Sequence, residues 1–174
     1  MLRILTGLIY IGGIESLDWK LDYRRFRIWL TEKYCVRSAY LFIGLIPKYK
    51  ELYTYLQESG FTLVFKEVVY DGEGKTKGNC DADLVLQAAR DIYENKFAAA
   101  ILVSSDGDYA SLVRFLKERK KLAVVLSPHA QNLCSILIKK TGAPIAYLDD
   151  QKRILRVQKE KAPDEDATSQ GSFS

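Results

Sequence analysis

The chain has 174 residues, 48% of them apolar and 28% charged, which suits one domain with a full core and an ordinary globular composition. Its net charge of +4 permits an anionic partner without demanding one. Three scattered cysteines, the absence of a CxxC pair and a single histidine, His129, argue against a zinc site or a disulfide framework, and the expected setting is cytoplasmic.

In chain order, ILTGLIYIGGIESLDW (4–19) reads as a first strand running into a turn, and its uncharged stretch from Ile4 to Ile14 is too short to span a bilayer. Asp22 is placed to cap a helix whose stripe is Phe26, Trp29, Leu30 and Lys33. RSAYLFIGLI (37–46) reads as a buried strand. Pro47 opens a helix with Tyr49, Leu52, Tyr53 and Leu56 on one face, and Gly60 closes it. FTLVFKEVVY (61–70) reads as a third strand, before the glycine- and lysine-rich loop DGEGKTKGN. That loop is not a P-loop, because Val69 stands where its first glycine belongs and no helix starts directly after GKT. A helix over about 80–94, a strand at 97–105, a helix at 108–119 and a strand at 121–126 follow. A helix over about 130–140, closed by Gly142, and a last strand at 143–148 complete the pattern. This alternation predicts an α/β domain over residues 1–150, three layers with a mainly parallel central sheet, and a charged tail over 151–174.

In such sheets a ligand site lies at the carboxyl ends of the strands. ILVSSDGDYASLV puts Asp106 and Asp108 there, two residues apart, a spacing that suits one hard divalent cation. Ser105-x-x-Asp108 also fits a capping box, so capping alone explains these residues equally well. In KGNCDADLVLQAARDIY, Asp81 shares a helical stripe with Leu84, Val85, Ala88 and Ile92, whereas Asp83 lines up with Gln87 and Arg90 on the polar face. A carboxylate on a buried stripe needs a partner or a metal, with capping of the helix start as the alternative reading of Asp81. Lys75 and Lys77 are candidate phosphate contacts beside these acids, and His129 reads as a surface histidine at a helix start.

The stretch from KGNCDADLV to the SSDGDYASLV turn resembles the NYN, or LabA-like PIN, domain, as do WKLDYRRFRIWL and LSPHAQN. The resemblance covers about residues 4–150 and implies a PIN-like sheet with strand order near 3-2-1-4-5. It also implies an Mg²⁺- or Mn²⁺-dependent ribonuclease acting on single-stranded or structured RNA, in a superfamily whose domains often form homodimers. By the same resemblance Asp81, Asp106 and Asp108 are metal ligands and catalytic acids, Ser105 a small residue beside them, and Asp83 secondary.

The family's first strand normally ends in Asp-Gly-x-Asn. Counting back from Trp19 puts that aspartate at Thr6, the glycine at Gly7 and the asparagine at Ile9; placing the motif on YIGG leaves too few residues before the tryptophan. Neither acid nor amide is present, and Thr6 offers only a neutral hydroxyl. The expected enzyme is therefore weakened, the alternatives being a non-catalytic RNA-binding or regulatory module and an α/β phosphoesterase that does not act on RNA. If Ile4 to Tyr10 were encoded ATA-TTG-ACG-GGA-CTA-ATT-TAT, a shifted frame would read Ile-Asp-Gly-Thr-Asn-Leu, so the hypothesis is that this stretch is a frame-shifted copy of the motif. Sequencing the gene is expected to show Asp-Gly-x-Asn in a shifted frame upstream of Gly12 or Gly13; its absence from every frame would end this reading.

Overall fold

The computed structural model describes residues 7–11, 17–66, 69–70, 76–77 and 80–158. Its strands are β1 (Gly7–Ile11), β2 (Val36–Gly44), β3 (Thr62–Lys66), β4 (Val69–Tyr70), β5 (Thr76–Lys77), β6 (Ala99–Val103), β7 (Leu122–Ser127) and β8 (Ile145–Tyr147). The helices are α1 (Tyr23–Tyr34), α2 (Lys50–Glu58), α3 (Asp81–Tyr93), α4 (Ala110–Glu118), α5 (Ile136–Lys139) and α6 (Lys152–Leu155). Six strands form one parallel sheet in the order β3-β2-β1-β6-β7-β8, that is 3-2-1-4-5-6, while β4 and β5 pair antiparallel as a separate ribbon.

Successive strand residues point to opposite faces, and both faces are covered. Ile11, Ile101, Val103 and Leu126 pack on one side with Phe26 and Leu30 of α1, Leu56 of α2 and Leu155 of α6. Tyr10, Leu102 and Val125 pack on the other with Leu84 and Ala88 of α3, Leu112, Val113 and Leu116 of α4, and Ile138 of α5. The near-continuous apolar strands of the sequence thus form a sheet with packed side chains on both faces. Local signals hold where chemistry fixes them: Asp22 caps α1 by accepting from the Arg25 amide at 3.0 Å, and Gly60 ends α2 in the left-handed region at φ +92°.

Four expectations are corrected. The apolar run 61–70 is not one strand: β3 ends at Lys66, whose carbonyl accepts from the Leu45 amide, and Val69–Tyr70 pairs with Thr76–Lys77 instead. The helix expected over 130–140 is a turn followed by the short α5. Ala130 O accepts from the amides of Leu133 and Cys134, but the next amide, Ser135 N, donates to Ser105 O at 3.1 Å, so the helical ladder does not continue. The folded unit does not end at 150. Asp22 N donates to Leu155 O, Val157 N donates to Lys20 O, and Leu21 bridges Arg156, which carries α6 into the core.

The fourth correction concerns β1. Gly7, first in the strand, is opposite Val36 and Ala99 at the amino end of the sheet, Ile9 is opposite Ile101 in its middle, and Ile11, opposite Val103, is last. The motif positions counted back from Trp19 therefore fall in the wrong half of the strand to reach the carboxyl edge; Thr6 itself lies outside the described residues. Gly12 and Gly13, next in the sequence after Ile11, also lie outside the described residues.

Leu155 is 1% exposed. Leu155→Ala is expected to cost about 2–4 kcal/mol in urea unfolding, and a chain ended after 150 to unfold more readily than one ended after 158; equal stability of the two truncations would contradict this packing.

Candidate functional site

The carboxyl ends of β1 and β6 lie side by side, and α3 begins beside them on the Tyr10 face. Three acids converge there. Asp106 follows β6 by two serines, Asp108 sits in a single 3₁₀ turn (Gly107–Tyr109) leading into α4, and Asp81 is the first residue of α3. One carboxylate oxygen from each lies within 4.8 Å of the others. Asp106 and Asp108 are exposed and Asp81 is half-buried.

The backbone makes this turn in a specific way. Asp106 N donates to Ser104 Oγ at 3.1 Å, and Asp108 N donates to Asp106 Oδ1 at 3.0 Å. Asp106, not Ser105, is therefore the cap; the capping box expected from Ser105 does not form. Ser105 contributes its carbonyl, which accepts from Ser135 N. Gly107 is needed because a Cβ there would lie 2.6 Å from Ser135 Oγ and 3.0 Å from Leu137 Cδ1. The start of α5 thus clamps the turn from outside. Capping and ligation are compatible, since a carboxylate has about four acceptor sites and the cap uses one.

Tyr109 OH donates a hydrogen bond to Asp81 Oδ1. Burial first, and then this bond and the charge of Asp81, hold the phenol above its ordinary value, so it stays a donor through neutral pH. The sequence motifs did not single out Tyr109 as a site residue; a hydroxyl on an apolar helical stripe directly after Asp108 was the available signal. Asp83 stands outside the cluster: its Oδ2 meets Lys66 Nζ at 2.6 Å, tying α3 to the end of β3 and raising the lysine above its usual range. Lys75 lies outside the described residues, and Lys77 is in β5 opposite Val69. The carbonyl of His129 accepts from Ser127 Oγ.

The donor set, three carboxylates without sulfur or imidazole, fits a hard divalent cation. Asp81, Asp106 and Asp108 would hold such a cation, which would supply Lewis-acid charge stabilisation at this edge. Three like charges this near one another repel, and a cation offsets that repulsion.

The family model for the NYN domain matches residues 9–143. This chain belongs to the NYN domain family. NYN domains lie within the PIN-like nuclease superfamily, whose members are generally nucleases acting on nucleic acid and usually use divalent metals. No curated protein matches the sequence significantly. Among solved structures, a Vibrio parahaemolyticus protein of unknown function is similar in fold, with a TM-score of 0.68 and 22% identity over 86% of this chain and 97% of the other. No helix among the described residues is long and apolar enough to cross a membrane.

Tyr109→Phe keeps the packing and removes the bond to Asp81. Mn²⁺ affinity by titration calorimetry is expected to fall roughly tenfold with little change in unfolding temperature; unchanged affinity would separate Tyr109 from the metal centre.

Proposed function

We propose that this NYN domain is a ribonuclease that hydrolyses phosphodiester bonds of RNA in the cytoplasm, using Mg²⁺ or Mn²⁺ held by Asp81, Asp106 and Asp108, at a rate lowered by its first strand. The observation that carries the reading is the convergence of three carboxylate oxygens within 4.8 Å at the carboxyl edge of a parallel sheet. A divalent cation bound there supplies an activated water and neutralises charge developing on the phosphoryl oxygens. The chain's own residues do the rest. The Asp106 cap and the Gly107 contact with α5 hold the turn, and Tyr109 orients Asp81. Lys75 and Lys77 are assigned to RNA phosphates, and Asp83 holds α3 against β3 through Lys66.

The lowered rate follows from β1. It is the strand beside β6, yet its described residues, Gly7–Ile11, carry no carboxylate, whereas Asp106 and Asp108 follow its neighbour. Loss of a charged ligand weakens metal binding and transition-state stabilisation together.

Mn²⁺-dependent cleavage of single-stranded RNA is expected from this chain and is expected to fall about 100-fold or more, roughly 3 kcal/mol of barrier, in Asp106→Asn. A gain of activity in Gly12→Asp places the missing ligand after Ile11, as the β1 register implies. A gain in Thr6→Asp/Ile9→Asn instead means that β1 shifts to the register counted from Trp19. RNA binding without cleavage in all of these proteins would favour a non-catalytic RNA-binding module.

A further inference from the structure

The carboxyl edge holds a second concave feature, on the opposite face of the sheet from α3. A pocket of about 470 Å³ opens between the start of α1 and the first half of α2, within the size range of small-ligand clefts. Both helices start at the carboxyl edge, because each follows a parallel strand that ends there. Neighbouring strands are about 4.8 Å apart, so the β2 side of the edge, from which α2 departs, is about 10 Å along from the end of β6. The pocket and the acids are therefore two stations on one edge.

The lining is aromatic with a polar fringe. Trp19, Tyr23 and Tyr55 contribute rings, Leu52 an apolar wall, Lys20 a cation and Asp22 a carboxylate. The rings are held in place beforehand: Trp19 Nε1 donates to Asp149 Oδ1 at 2.7 Å, and Tyr23 meets Tyr55 edge-to-face at 6.5 Å between centroids. Asp22 is fixed by its cap to the Arg25 amide and by Arg25 Nε at 3.3 Å. A carboxylate inside the pocket repels a phosphate but accepts from an amino group. Phosphates find cations at the rim, at the exposed Lys20, and outside it at Lys48 and Lys50, exposed at the start of α2. Aromatic faces within and lysines around the mouth are what a single strand needs, with bases stacked and the backbone held by charge.

We propose that this pocket is a base-binding subsite, taking one unpaired nucleobase of the strand whose scissile phosphate lies at the acids, and favouring bases whose exocyclic amino group donates to Asp22. The inference rests on the nuclease reading only for the identity of the polymer. It gives the RNA a direction across the protein, along the strand ends from β6 toward α2, and a reason to prefer single strands, since a paired base has no free face or edge to insert.

The test is binding without turnover. With the Trp29→Phe protein in EDTA, Trp19 is the one tryptophan reporter. Titration with short oligoadenylate or oligocytidylate is expected to quench it, with weaker binding of oligouridylate, which has no exocyclic amine. Lys20→Glu, at an exposed position, and Tyr55→Ala are each expected to weaken binding about tenfold, and to raise KM more than they lower kcat wherever cleavage is measurable. No quenching, or wild-type affinity in both variants, would overturn the subsite while leaving the nuclease reading intact. Quenching without any Mn²⁺-dependent cleavage would do the reverse. A Trp19 signal that responds to deletion of residues 159–174 and not to RNA would assign the pocket to the chain's own C-terminal segment and overturn the proposal.

Discussion

The phenol of Tyr10 and the carboxylate of Asp91 meet in the layer between the central strand and α3, at 2.8 Å, and both are almost completely buried. A carboxylate in that position is costly unless its oxygens are satisfied. Here Tyr10 donates to one oxygen, while Gln87 donates to the other and Lys96 pairs with it at 3.3 Å. Burial chiefly, then the bond itself, keep the phenol above its usual value and so keep it a donor. The consequence is geometric. The rotation of α3 about its axis is set by the requirement that Leu84, Ala88 and Asp91 all face Tyr10's side of the sheet. Asp81 lies ten residues earlier on the same rigid rod, about 15 Å along it. Its position at the edge follows from a bond made far from any chemistry.

The acids on the other side of the site depend on a different kind of constraint. The Asp106–Asp108 turn is short, exposed and made of polar groups that water would also satisfy. It is held because Ser135 gives its amide to Ser105 instead of to its own helix, and because Gly107 leaves space that Ser135 and Leu137 occupy. The site is thus assembled from three separate parts of the chain. The parallel sheet fixes the edge, a buried hydrogen bond orients one helix, and a truncated helix pins the turn. None of these contacts of the Asp106–Asp108 turn is made by β1.

The layers and the parallel sheet were legible in the sequence, because apolar runs of strand length and 3.6-residue stripes report burial directly, whereas the grouping of Asp81 with Asp106 and Asp108 came from the resemblance to the NYN family. The exceptions share one cause: each was decided by a partner distant in sequence. Nothing near residue 135 announces that its amide will be taken by Ser105. The apolar run 61–70 does not say where its neighbour β2 stops. KRILRV reads as a charged tail until Leu21 is known to bridge Arg156. Asp91 was the avoidable omission, for it stands at i+7 from Leu84 and i+3 from Ala88, on the same stripe that drew attention to Asp81. The register of β1 was misjudged because counting back from Trp19 assumed a turn of fixed length, whereas pairing with β2 and β6 on both sides decides the position of a central strand.

The seam that joins residues 20–22 to 155–157 also bears on how the molecule folds. Trp19 and Asp149, which hydrogen-bond beside it, are 130 positions apart. Closing so long a loop has an entropic cost that grows only as the logarithm of its length, but the encounter must wait until the intervening strands have brought its two ends together. In a parallel sheet most pairings are themselves non-local, which already slows assembly. The seam is therefore expected to form late and to fray early under mild denaturant. Because Trp19, Lys20 and Asp22 sit on it, fraying there dismantles the aromatic pocket before it disturbs the acids. The two halves of the edge differ in mechanical reserve, with a durable centre at β6 and a more yielding rim at α1.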